Sequence, residues 1–192
     1  MSAQRTRERI LDAAVERIAS DGIDAVRIAR IAMDARVSTA LVHYHFATRE
    51  ALLVEALEHS FETAGAVRDE PGDAATRLRS MVEQCLPLPG EQERDWVLWV
   101  ELWLRAVRHP ELRPTAAKLY ARMHVWFREA IEEGGFGAVD AGAIADRTLA
   151  LIDGFGVRAL LGDPAMPLER AREEVWHALA GDLGLHSDAP SS

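Results

Sequence analysis

Ser38, Thr39, Ala40, Tyr44 and His45 bring hydroxyls, a small side chain, a phenol and an imidazole into barely two helical turns. Hydroxyls and imidazoles exchange hydrogen bonds with base edges and phosphates, and a small residue lets the backbone come close to them. All five lie in the segment Ile28 to Phe46, IARIAMDARVSTALVHYHF, whose apolar positions have the layout of a helix-turn-helix. Ile28, Ile31 and Ala32 form the inner face of its first helix, Val37 fills the turn, and Leu41 with Val42 backs the second helix. In that geometry the N-terminal residues of the second helix enter the major groove. Ser38, Thr39 and Ala40 are then nearest to bases or phosphates, with Tyr44 and His45 further along. An ordinary corner between two helices of a bundle fits the bare pattern equally well.

A second group of residues suits a small molecule. Trp96, Trp99 and Trp103 recur at i, i+3 and i+7, and Tyr120, Met123 and Phe127 repeat that spacing, with Trp126 adjacent. Two such stripes either fill a core or line an effector cavity. In the cavity reading Trp96, Trp99, Trp103, Met123 and Phe127 are the lining. With Asp95, Glu101 or Asp153 nearby, the indoles suit a cationic amine held by cation-π contact, whereas an apolar aromatic effector needs the rings without the acids. Catalytic chemistry finds little support. Cys85 has no obvious histidine and acid partner, His43 and His45 alternate instead of pairing at i, i+4, and the glycines lack phosphate-loop spacing. No enzyme activity, metal or cofactor is expected.

Composition sets the frame for these groups. The chain has 192 residues, 48% of them hydrophobic and 28% charged, enough for a core without disulfides. No apolar run approaches the roughly 20 residues of a membrane span, and MSAQRTRERI at the start lacks the apolar stretch of a secretory signal. With Cys85 the single cysteine, a cytoplasmic chain is expected. Overall the formal charge is −9, but residues 1 to 50 carry eight arginines against seven acids, a net of +1 that leaves −10 for the remainder. A mildly basic N-terminal face on an acidic body can bind DNA in an oriented way, and it is also what a solvated helix surface looks like.

The elements that must position these residues are all helical, because apolar residues recur at helical spacing and no segment sustains a period of two. The spacing predicts nine helices: Thr6 to Ser20, Ile28 to Asp34, a third capped by Ser38 and reaching Tyr44, and a fourth capped by Thr48 from Arg49 into the sixties. Five longer ones follow over 73–86, 92–108, 111–132, 140–161 and 167–183, ended by prolines or glycines. A polar, frayed tail is expected over 186–192.

Residues 7 to 57 resemble the DNA-binding domain of the tetracycline-repressor (TetR) family of bacterial transcriptional regulators. The resemblance rests on ILDAA in the first helix, Gly22, Ile31-Ala32, Val37-Ser38, Tyr44 to Phe46, and the opening of the fourth helix at Thr48 to Leu52. WVELWLRAVRHPELR at 99–113 and LALIDGFGVRALLGDP at 149–164 are similar to the C-terminal domain of the betaine-regulator type within that family. The resemblance implies an N-terminal head over 1–48, an effector-binding and dimerisation body over 49–185, and a homodimer whose two heads read a palindromic operator, most simply as a repressor released by a small molecule. The alternative is a helical protein-interaction or small-molecule-binding protein without specific DNA recognition.

Several residues depart from the family pattern. Arg36 stands at a turn position where glycine is common and a left-handed backbone is often needed, a strain of roughly 1 kcal/mol. Arg27 replaces the usual Ser or Thr that caps the second helix and touches a phosphate, Ala40 stands where glycine is common, His43 where tyrosine is, and Arg49 where lysine is. Arginine is itself a phosphate donor, so Arg27, Arg36 and Arg49 are expected near phosphates, as is the imidazole of His45, and His43 belongs to the same expected DNA-binding set. Ala143, Ala150, Gly154, Val157 and Leu161 share one face of the eighth helix, small at first and then aliphatic. That face packs inside one subunit or forms a dimer interface, and the resemblance implies the dimer.

Overall fold

A computed structural model describes residues 3–64 and 72–185; the tail expected over 186–192 lies outside them. Among the described residues there are nine α-helices and no strand: α1 (Ala3–Asp21), α2 (Ile28–Asp34), α3 (Thr39–His45), α4 (Arg49–Ala64), α5 (Ala74–Gln84), α6 (Glu91–Arg108), α7 (Arg113–Gly134), α8 (Ala141–Leu160) and α9 (Leu168–Asp182). A short 3-10 turn over Pro110–Leu112, which helical spacing does not announce, precedes α7. None of the described helices is long and apolar enough to cross a membrane.

Side-chain caps set where these helices begin. Ser38 accepts from the Leu41 N–H at 3.1 Å, Thr48 from Ala51 at 3.0 Å, Asp73 from Thr76 at 2.8 Å and Asp140 from Ala143 at 3.0 Å. Each satisfies one of the orphan donors of a first helical turn.

The chain forms two compact units, Met1–Ala66 with Val97–Leu119, and Val67–Trp96 with Tyr120–Ser192. Their boundaries differ from a division at residue 48, because α4 begins there yet buries Leu52, Leu53, Ala56 and Leu57. It packs on α1, whose Ile10, Leu11, Ala14, Val15 and Ile18 form the other side of that core. Within the same unit α1 also packs on α2, and α2 on α3. In the second unit α8 packs on α9, and α9 on α5. The buried face of α8 carries Ala141, Ile144, Ala145, Thr148, Leu149, Ile152 and Gly156.

Candidate nucleic-acid interface and effector groove

α2 and α3 have seven residues each, too short to be stable alone, so caps and tertiary contacts must place them. On α3, Val42 is fully buried, and Phe46 just beyond it nearly so. Thr39, Ala40, His43 and Tyr44 are exposed, Tyr44 to 80%. Those four fall at i, i+1, i+4 and i+5 and form one outward stripe. Ser38 is exposed too, although its hydroxyl serves the cap. His45 is half-buried, its ring edge-on to Tyr44 with centroids 5.3 Å apart.

The turn before α3 has a defined conformation. The Arg36 N–H donates to the Met33 carbonyl at 3.1 Å and the Val37 N–H to Ala32 at 2.9 Å, with Arg36 at φ 53°. This is a Schellman cap with a left-handed residue in its C′ position. α8 and α9 end the same way, with Gly162 and Gly184 in that position. The left-handed backbone expected at Arg36 is therefore present, where a side chain costs about 1 kcal/mol relative to glycine. Arg36 is exposed.

Arg27 and Arg49, expected near phosphates, are both engaged inside the head. Arg27 Nη1 donates to the carbonyls of Asp24 at 2.9 Å and Val26 at 3.3 Å; Arg49 donates to Ile23 at 2.6 Å and Val26 at 3.2 Å. The α1–α2 loop has carbonyls outside any helix ladder, and buried or half-buried carbonyls need donors. Arg105 of α6 pairs with Asp24 of the same loop.

Sequence reasoning missed two further arginines on α1. Arg17 holds Asp34 in a two-pronged pair, Nε to Oδ2 at 2.5 Å and Nη2 to Oδ1 at 3.1 Å, which keeps that carboxyl below the usual carboxylate range. Arg9 Nη2 donates to the Ala35 carbonyl and, at 3.4 Å, to that of Arg36. Arg17 also reaches Asp21 at i+4, 3.3 Å away, but Asp34 and the carbonyls that Arg9 meets lie far from their arginines in sequence, so no local spacing signals those contacts.

In the second unit a surface groove of about 530 Å³ runs between α7 and α8, lined by Tyr120, Ala121, His124, Asp146, Leu149, Ala150 and Asp153. The Tyr120 hydroxyl donates to Asp153 Oδ2 at 2.6 Å. Burial pushes the Asp153 carboxyl above its ordinary range, against the lowering effect of that hydrogen bond. The spacing of Asp146, Ala150 and Asp153, at i, i+4 and i+7, was a legible sign of this acidic face. None of the five aromatic-stripe candidates lines the groove. Trp96, Met123 and Phe127 belong to the same unit as the groove, Trp99 and Trp103 to the other. Trp96, Trp99 and Phe127 are buried, and Trp103 and Met123 half-buried.

The α8 stripe reads differently. Ala150 and Gly154 are exposed, Ala143 and Val157 half-buried, and Leu161 is 78% exposed.

Comparison with known proteins adds an independent line. The family description "Bacterial regulatory proteins, tetR family" matches residues 10–56, and "BetI-type transcriptional repressor, C-terminal" matches residues 74–183. The transcriptional regulator BetI of Paraburkholderia xenovorans is 26% identical over 170 residues, 82% of this chain and 84% of that protein. A regulator from Saccharomonospora viridis, solved in complex with choline, superposes with a TM-score of 0.76 at 32% identity, covering 90% of this chain and 94% of the other. A regulator of the TetR family from Rhodococcus sp. gives a TM-score of 0.83 at 28% identity, covering 95% and 100%.

Proposed function

The chain belongs to the TetR family of bacterial transcriptional regulators and carries a BetI-type repressor C-terminal domain, and from that premise we propose that it represses as a homodimer on a palindromic operator and is released by a small organic cation. It acts in the cytoplasm, and its body regulates binding without catalysing a reaction. Residues 1–48 do the reading and 49–185 the sensing and pairing, with α4 joining the two roles.

The observation that carries the DNA reading is the outward stripe of α3 over its buried back. Thr39 and Ala40, with Ser38 and Tyr44, face base edges. Arg36, His43 and His45 stand near phosphates, and Arg27 and Arg49 support that surface by fixing the loop before α2. Selection of bound duplexes from a random pool yields an inverted repeat if this is right. Thr39→Ala then shifts preference at one or two base pairs per half-site, by about 1 to 3 kcal/mol. A protein that prefers no selected duplex over random DNA at moderate salt refutes the operator reading.

For the effector, the groove offers a phenol and two carboxylates, a combination that suits an organic cation. The choline-bound regulator from Saccharomonospora viridis supports this class. Of the stripe Trp96, Trp99, Trp103, Met123 and Phe127, the three that share the groove's unit, Trp96, Met123 and Phe127, are proposed to report its occupancy. Because the folded-state pKa of Asp153 is raised, its ionisation destabilises the fold once the pH exceeds the ordinary carboxylate value. Asp153→Asn keeps an acceptor for Tyr120 and removes that penalty. Its denaturation midpoint is expected above that of the wild type at neutral pH, with the gap closing toward about pH 3. The same variant loses the choline response in a tryptophan-fluorescence titration, a trade of function for stability. An unchanged choline response removes the groove from the reading.

For the dimer, the support is an apolar stripe on α8 that the chain leaves largely uncovered, ending in the exposed Leu161.

A further inference from the structure

We propose that Arg9, on α1 and outside the helix-turn-helix, is a positioning residue for DNA reading, one that holds the strained turn of Arg36 and thereby aims α3. The proposal rests on the operator reading above. Three observations meet at this turn.

First, the same cap occurs three times among the described residues, and of those three the one before α3 lacks glycine at the left-handed position. Arg36 at φ 53° therefore occupies a conformation that its own side chain disfavours, and such a backbone persists only where its surroundings hold it. Second, the cap bonds use the N–H groups of Ala35, Arg36 and Val37, and Arg9 supplies a donor to the carbonyls of Ala35 and Arg36. The two hydrogens of Nη2 serve both carbonyls, and a cation at the C-terminus of α2 also complements the helix dipole. Third, α3 starts at Thr39, three residues past Arg36. With so short a connection, a small change in the Arg36 backbone swings the whole outward stripe. Ala35, meanwhile, is 4% exposed and gives the turn a fixed base.

The consequence is a coupling between two residues 27 positions apart. Arg9 matters to operator reading because Arg36 is not glycine. If glycine relieves the turn, Arg9 has less to hold.

A double-mutant cycle tests this with the full-length protein, its selected operator and a random duplex. Arg9→Gln is expected to lower operator affinity about tenfold in the wild-type background and only about two- to threefold in the Arg36→Gly background. Affinity for the random duplex, and the salt dependence of binding, should be unchanged by Arg9→Gln within each background, because no phosphate contact is removed. Arg9→Lys, which keeps the charge and a multiple donor but on a shorter side chain, should fall between wild type and Arg9→Gln in operator affinity. Losses of equal size in both backgrounds, or a parallel loss on random DNA with a flatter salt slope, overturn the proposal and make Arg9 an independent or phosphate-contacting residue. Helical circular dichroism and melting of each variant accompany the titrations. If Arg9→Gln fails to fold, the Arg9→Lys pair in the two backgrounds supplies the same ratio, and equal losses there overturn the proposal as well. A wild-type protein without operator preference fails at the earlier step, since it refutes the operator reading itself.

Discussion

Replacing Gly156 by alanine is expected to destabilise the protein by about 3 kcal/mol, an overpacking cost at the upper end of the usual range. In the middle of a helix this exchange ordinarily stabilises by roughly 0.5 to 1 kcal/mol, since glycine loses more backbone freedom on folding. Here the sign reverses because of what faces the glycine. A Cβ at Gly156 would stand well inside van der Waals contact of Cη2 and Cζ2 of Trp96. The indole has little room to retreat, being 5% exposed and anchored by its Nε1–H to the Cys85 carbonyl at 3.0 Å. Urea denaturation followed by far-ultraviolet circular dichroism measures the loss. Trp96→Phe should restore part of the stability in the Gly156→Ala background, because the smaller ring yields the space. A Gly156→Ala midpoint equal to or above that of the wild type shows that Trp96 does not press on α8.

Ala150→Arg is expected to convert a dimer into a folded monomer, costing on the order of 3 to 5 kcal/mol of association free energy. At a two-fold interface each substitution counts twice, so two guanidinium groups would meet near the axis and hold the helices apart. Within one subunit the exchange is mild, as Ala150 is exposed and lies a helical turn from Asp146 and Asp153, which can pair with an arginine. Sedimentation should report a monomer with unchanged helical circular dichroism, and operator affinity should fall steeply because one head retains half the contacts. Gly154→Ala supplies a gentler check. Among the described residues nothing beyond its own helical backbone lies within 4 Å of the added Cβ, so a destabilisation by this exchange points to a second copy. A variant that stays dimeric with full operator affinity places the interface elsewhere.

The order and extent of the helices were readable in the chain because the signals are local. Ser38, Thr48, Asp73 and Asp140 cap helices within their own first turns, and Gly22, Gly162 and Gly184 end them with positive φ. A residue and its cap partner are three positions apart, so composition and spacing contain the whole interaction. The division of α3 into a buried back and an outward stripe was readable for the same reason: Val42 and Phe46 lie a turn apart, and Thr39, Ala40, His43 and Tyr44 occupy the other side. Even the left-handed turn at Arg36 was legible as a departure from a family pattern.

Tertiary structure decided the partners of side chains long enough to reach another element. Arg27 and Arg49 are cations at positions that suit phosphates, but only the folded loop reveals carbonyls at Ile23, Asp24 and Val26 within their reach. Arg9 and Arg17 read as surface charges on α1 until α2 and its turn pack beside them. A helical spacing of aromatics marks a face without saying what lies opposite. For Trp96 the answer is the bare backbone of Gly156, and for Tyr120 it is the carboxylate of Asp153, 33 residues away. The free energies of the side-chain caps depend chiefly on neighbours in sequence, three positions away. The partner of a guanidinium or an indole depends on which surfaces the hydrophobic cores bring together, and that is settled only when the helices pack.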